Sequence, residues 1–174
     1  MTIRYATLDD LDQITHLYFQ NHIITYKGLL PDEYISNLSL DNCRLKWSQF
    51  LCDPEGRIWV ALDEKTFLGF IAGRPDPELA RTWYLDSLHV SEKSRGKGVG
   101  SALIRIAGSY AAENLYENMS ICIVRGNDRA GNLYQTLGAV HYKYFEDSFM
   151  GSPSRSEKLL WEDITHWNKT FDSL

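Results

Sequence analysis

Leu88-His89-Val90-Ser91-Glu92-Lys93-Ser94-Arg95-Gly96-Lys97-Gly98-Val99-Gly100-Ser101-Ala102-Leu103 runs from apolar residues, through a turn with three closely spaced glycines, into an apolar repeat. Val99, Ala102, Leu103, Ile106, Ala107 and Tyr110 recur on one helical face, so the stretch reads as a strand, a glycine turn and an amphipathic helix. At such a junction the first N–H groups of the helix have no carbonyl partners and the helix end is positive, which favours an anion. Glycine leaves no Cβ between a ligand and the main chain, and Arg95 and Lys97 add positive charge. Phosphate is therefore the expected ligand. Two common phosphate loops fail on spacing. The dinucleotide fingerprint G-x-G-x-x-G would need glycine where Ser101 or Leu103 stands, and a Walker A loop needs Gly-Lys followed by Ser or Thr, whereas Lys97 precedes Gly98. A purely structural glycine turn is the remaining alternative.

Working outward, residues 83–90 form the strand before the turn. Residues 57–63 and 67–73 read as a hairpin across the polar turn Asp63-Glu64-Lys65-Thr66, ended by Pro75 and Pro77. Nearer the start, residues 3–6 suit a strand, and Thr7 is placed to cap a helix bearing Leu11, Ile14, Leu17 and Tyr18 on one face, with Gly28 at its end. Pro31 opens a second helix through Tyr34, Ile35 and Leu38, and a less regular helix covers residues 45–51. Beyond the turn, residues 120–124 read as a strand and 128–137 as a helix capped by Gly138. Residues 139–145 and 158–161 form a closing strand pair, joined by a loop over 147–156 that is rich in serine, with Gly151 and Pro153. The order gives an α/β (α+β) domain over residues 1–164, with a largely antiparallel sheet, one strand-helix-strand unit at its middle and a tail over 165–174.

Composition narrows the function. The chain has 174 residues, 44% of them hydrophobic, enough for one substantial core. Lys and Arg total 18 against 23 for Asp and Glu, and the net charge of -5 argues against a nucleic-acid surface and suits a cationic acceptor. No basic segment leading into an apolar stretch follows Met1 and no apolar run reaches membrane-spanning length, so no membrane partner and a cytoplasmic location are expected. Cys43, Cys52 and Cys122 lack C-x-x-C spacing and are expected as reduced thiols, with no metal site.

Arg95-Gly96-Lys97-Gly98-Val99-Gly100 matches the R/Q-x-x-G-x-G/A signature, and the chain resembles the GNAT superfamily of acetyltransferases. Asn127-Asp128-Arg129-Ala130 and Leu133-Tyr134-Gln135-Thr136-Leu137-Gly138-Ala139 resemble the family's downstream segment. The stretch from Thr25 to Tyr34 and the run Trp161-Glu162-Asp163-Ile164 look like one branch of small bacterial members. The resemblance implies a GNAT-like, mostly antiparallel mixed sheet of about seven strands, with a central strand-helix-strand acetyl-CoA-binding unit and helices on both faces. It implies an N-acetyltransferase that moves the acetyl group of acetyl-CoA directly to a primary amine, on a small molecule or a peptide, through a ternary complex. A non-catalytic acyl-CoA sensor or interaction module, or an enzyme using a longer acyl-CoA, is the competing reading.

By the same resemblance, Leu88, His89 and Val90 border the pantetheine arm, and the pyrophosphate lies on Arg95, Gly96, Lys97, Gly98, Val99 and Gly100, with Ser101 as an extra donor. Asn127 contacts the CoA arm, and Tyr134 stands near the sulfur as the acid for the departing thiolate. The base is expected to be Asp86 or a water chain, since the position where many relatives carry glutamate is Tyr84 here. Strand alternation puts Asp86 on the side of Tyr84, Leu88 and Val90, and turns the His89 side chain to the other. Tyr26, Tyr34, Tyr84 and Phe149 are candidates to line the acceptor pocket. A homodimer is expected, because family members often pair through their C-terminal strands and Ile164, Trp167 and Phe171 keep helix-like spacing in the tail.

Overall fold

A computed structural model describes residues 1–149 and 152–167; the side chain of Phe149, and all of Phe171, lie outside the described residues. Seven strands form one sheet in the order β1-β2-β3-β4-β5-β7-β6. They are β1 (Thr2–Tyr5), β2 (Arg57–Asp63), β3 (Thr66–Pro75), β4 (Thr82–Val90), β5 (Asn118–Val124), β6 (Val140–Phe149) and β7 (Ser152–Trp161). Every neighbouring pair is antiparallel except β4 and β5, which are joined by the crossover helix α4 (Val99–Glu113). The other helices are α1 (Leu11–Tyr26), α2 (Asp32–Asn37), α3 (Leu40–Cys52) and α5 (Asp128–Thr136).

Alternation along the strands feeds two cores. Trp59, Ala61, Ile71, Trp83 and Leu85 meet Leu103, Ile104, Ala107 and Ala111 of α4 on one face. Ile58, Val60, Phe70 and Ala72 meet Ile14, Tyr18 and Trp47 of α1 and α3 on the other. Each such large side chain, fully buried, contributes about 1.5–3 kcal/mol. Local chemistry sets the helix ends. Ahead of α1 the Thr7 N–H donates to Asp10 Oδ2 at 2.8 Å in a capping box, and Ser39 Oγ caps α3 by accepting from the Asn42 N–H at 3.1 Å. A third small core of Leu30, Tyr34 and Val124 ties the α1–α2 connection to the end of β5.

Three expectations change. Residues 147–149 and 152–156 are strand and not loop, because pairing of β6 with β7 continues through Asp147↔Ser154 and Ser148↔Pro153 to Phe149↔Ser152. Ser154 and Ser156 are buried, and Pro153 lies beyond the last β5 partner, Val124↔Ser156, where one side of β7 is open and a missing N–H is tolerated. The domain also passes residue 164: Ile164 and Trp167 belong to the α4-side core, and Trp167 Nε1 donates to Arg105 O at 3.0 Å. A Cβ on Gly108 would collide with the Trp167 ring, so helix and tail are fitted to each other. The spacing of Ile164 and Trp167 thus reports intrachain packing and gives no support to a homodimer.

The third change positions the site. β3 pairs Ala72 with Ser87 and Gly73 with Leu85, so Asp86 is an extra residue in a β-bulge. Before the bulge Tyr84 and Asp86 share the α1–α3 face, Asp86 meeting Lys46 of α3. After it the alternation is reversed. Leu88 and Val90 pack on the α4 side beside Gly100, and His89 turns onto Tyr18, His22 and Phe70. Asp86 and the His89 side chain therefore lie on one face, opposite Leu88 and Val90.

Candidate active site

Parallel pairing of β4 and β5 stops at Leu85↔Ile121, although β4 runs on to Val90 and β5 to Val124. The strands part into a cleft of 1170 Å³ that also takes in the glycine turn, α5 and the inner side of α1. The Ser91 N–H turns towards β3, where it donates to Leu68 O at 2.8 Å. Backbone alternation then aims the N–H groups of Val90 and Leu88 away from β3, at the open edge.

At one end, Gly96 and Gly98 have φ of +72° and +80°, and a Cβ at either would meet nothing within 4 Å. Their glycine requirement is conformational, and the space before them is open to a ligand. The N-cap of α4 is Gly98, which has no side chain to cap it, and among the described residues no side chain accepts from the first-turn N–H groups of Val99, Gly100 and Ser101, which line the cleft. Gly100 is glycine for fit, since a Cβ would lie 3.3 Å from Leu133 Cδ2. Of the turn's two cations, Arg95 lines the cleft while Lys97 is exposed outside its lining. Arg95 is turned inward: Nη2 donates to Asn21 Oδ1 at 2.7 Å and Nε to Val90 O at 3.2 Å. Asn127 lines the cleft and caps α5, its Oδ1 accepting from the Ala130 N–H at 3.4 Å.

In the middle stands Tyr134, buried edge-on to Trp161 at 5.9 Å, with burial and then the neighbouring Tyr26 raising its pKa above the ordinary tyrosine value. It lines the cleft together with Tyr26, whose pKa burial pushes up to about 12. Both phenols keep their protons at neutral pH.

At the far end Asp86, His89 and Tyr84 are joined by residues that sequence reading left out, among them Lys46, Arg74 and His22. Asp86 accepts from Arg74 Nη2 at 2.8 Å through Oδ1, and from Lys46 Nζ at 3.1 Å and Ser87 Oγ at 3.1 Å through Oδ2. Burial pushes its pKa up, but Lys46 and Arg74 outweigh this and hold it below the ordinary carboxylate range. A carboxylate so engaged is a weak base, so the role expected of Asp86 changes to holding two cations in place. Beside it, His22 and His89 stack at 5.4 Å, and burial, with Lys46 nearby, lowers both pKa values, that of His89 to about 3. Asn21 Nδ2 donates to Val90 O at 3.2 Å and lies 3.4 Å from His89 Nδ1.

Tyr84 lines this end. Tyr34 does not; it is buried in the third core, its hydroxyl 2.5 Å from His22 Nδ1. The signal for the missed histidine was present: Tyr18, His22 and Tyr26 continue the α1 stripe at four-residue steps, polar atoms replacing aliphatic ones as the helix leaves the core. Among the described residues no group of three or more His, Cys, Asp or Glu is placed to hold a metal, and no helix is long and apolar enough to cross a membrane.

Comparison with known proteins agrees with this geometry. A sequence model described as "Acetyltransferase (GNAT) family" matches residues 12–139. An uncharacterized N-acetyltransferase from Archaeoglobus fulgidus is 28% identical over 138 residues, 77% of this chain and 89% of its own. The crystal structure of an N-acetyltransferase from Staphylococcus aureus Mu50 superimposes with a TM-score of 0.75 at 20% identity, over 92% of this chain and 97% of that one. PaiA N-acetyltransferase from Thermoplasma acidophilum, solved in complex with coenzyme A, gives 0.69 at 19% identity over 90% and 98%.

Proposed function

This chain belongs to the acetyltransferase (GNAT) family, and from that premise we propose that it transfers the acetyl group of acetyl-CoA directly to a primary amine of a small molecule within a ternary complex. The observation that carries the reading is the parting of β4 from β5 directly in front of an uncapped, glycine-opened helix. One splayed pair supplies an unpaired strand edge for an amide-bearing arm, and the adjoining N–H groups supply an anion seat for a pyrophosphate. The open space at Gly96 and Gly98, which a side chain would fill, fits such a group.

Bound acetyl-CoA supplies a thioester whose acyl carbon is open to attack. The N–H groups of Val90 and Leu88 at the open edge orient the arm and donate to the carbonyl oxygen as negative charge develops there, an interaction worth about 3 kcal/mol. Tyr134, protonated throughout the physiological range, donates to the departing sulfur. Its raised pKa makes it a stronger holder of its proton than free tyrosine, so it works chiefly as a hydrogen-bond donor while the thiolate leaves. The incoming ammonium loses its proton to water in the cleft, with Asp86, Lys46 and Arg74 shaping the field it enters.

Direct transfer also fits the thiol inventory. Cys122 lines the cleft, but burial raises its pKa, which keeps it a thiol and a poor nucleophile. Incubation with acetyl-CoA and a panel of primary amines, followed through free thiol, tests the reading. Amine-dependent thiol release is expected, and release that no amine accelerates would refute it.

A further inference from the structure

The acceptor end of the cleft is electrically divided. On the α3 side, two cations, Lys46 and Arg74, surround one carboxylate, Asp86, which leaves one positive charge in surplus. Lys46 carries it towards the cleft, which it lines with a side chain 36% exposed. Its ammonium is fixed over the faces of Tyr18 at 4.9 Å and Trp47 at 4.8 Å. Of its three donors one goes to Asp86 Oδ2 at 3.1 Å and one towards the Tyr18 hydroxyl at 3.5 Å, leaving one for a ligand. The adjacent His22 and His89 are held neutral and offset nothing.

On the β6–β7 side the balance is reversed. Lys158 pairs with Asp76 and Glu78, and Lys143 with Glu78, two cations against two carboxylates. Asp147 also lines the cleft, and among the described residues it has no cation within ion-pair distance; its Oδ1 accepts only the Ser148 N–H, at 2.6 Å. The α3 side of the cleft lining thus presents a spare cation and the β6 side a spare carboxylate.

Resting on the acetyl-transfer reading above, we propose that the acceptor is a small amino acid with a free carboxylate, which Lys46 binds while the amine enters on the side of Asp147. The surplus of Lys46 repels a second ammonium, so a polyamine, which offers two or more cations and no anion, meets one favourable partner and one unfavourable one.

The test compares protein L-amino acids, each against its own α-carboxamide and decarboxylated amine, with thiol release giving kcat and KM, and calorimetry measuring binding to the protein saturated with CoA. The preferred amino acid is expected to show a KM and a Kd about tenfold or more below those of its amide and amine. Lys46→Met should shrink that gap to about threefold or less by raising the acid's values, while Lys46→Arg retains it. The proposal is overturned by amides or diamines that bind and react as well as the acids, by a gap that persists in Lys46→Met, or by acetyl-CoA binding in a protein that binds and acetylates no amino acid. Because the wild-type comparison needs no variant, it decides even if Lys46→Met fails to fold. Failure to bind acetyl-CoA at all would instead remove the parent reading, and this one with it.

Discussion

Arg95 Nη2 donates to Asn21 Oδ1 at 2.7 Å, which fastens the start of the glycine turn to the first helix. Asn21 also donates to Val90 O, the acceptor that Arg95 Nε shares, so one amide side chain sets turn, strand end and helix in register. Asn21→Ala removes that tie and leaves a partly buried guanidinium with one fewer acceptor. Acetyl-CoA affinity by calorimetry should fall about tenfold, in line with the 1.5–3 kcal/mol of a charge-assisted hydrogen bond partly recovered by water. Unchanged affinity would show that the turn holds its shape alone.

At Gly100 the prediction is steric. Valine there drives its Cβ against Leu133 Cδ2 and places methyl groups at the helix entry. Gly100→Val should remain folded and lose the rise in melting temperature that acetyl-CoA gives the wild type, because a ligand that does not bind cannot stabilise by mass action. A retained thermal shift would move the pyrophosphate away from this turn.

Where sequence periodicity met regular structure, it read correctly: the hairpin of β2 and β3, the turn into α4 and the helix that opens at Asp128 all follow from residues within a few positions of one another. The far end of the cleft was illegible because its geometry depends on one inserted residue. The bulge at Asp86 carries no composition signal, yet it reverses every side chain from Ser87 to Val90 and brings His89 against His22. Lys46 and Arg74 come from distant segments, α3 and β3, and only the packed sheet shows that they share one carboxylate. The serine-rich stretch of β6–β7 misled for another reason: its small polar residues pair as strands, with Ser154 and Ser156 facing inward.

Asp86 gives a pH prediction with a definite sign. Its folded pKa lies below the ordinary carboxylate value, so the stability it contributes is present above that value and is lost as pH falls through the folded pKa. Asp86→Asn should cost about 1–3 kcal/mol at pH 7, less than a fully buried pair because Lys46 and Arg74 are partly hydrated. In urea unfolding the difference from wild type should narrow towards pH 3. The acidic limb of kcat/KM should stay in place, since a carboxylate held that low is fully ionised across it; a shifted limb would restore Asp86 as the base.

Tyr134→Phe keeps the ring against Trp161 and removes only the hydroxyl. It should bind acetyl-CoA as the wild type does and lose about 10- to 1000-fold in kcat. Wild-type turnover with chemistry rate-limiting would reduce Tyr134 to a packing residue.

Direct transfer is tested most sharply by the fate of the acetyl group itself. Protein is mixed with acetyl-CoA carrying an isotopically labelled acetyl group, with and without an acceptor amine, and the intact protein and the small molecules are weighed by mass spectrometry. Transfer within a ternary complex predicts that label appears on the amine in step with free CoA, and that the protein mass never changes. Label on the protein, at Cys122 or elsewhere, or CoA released at the same rate without amine, would contradict it.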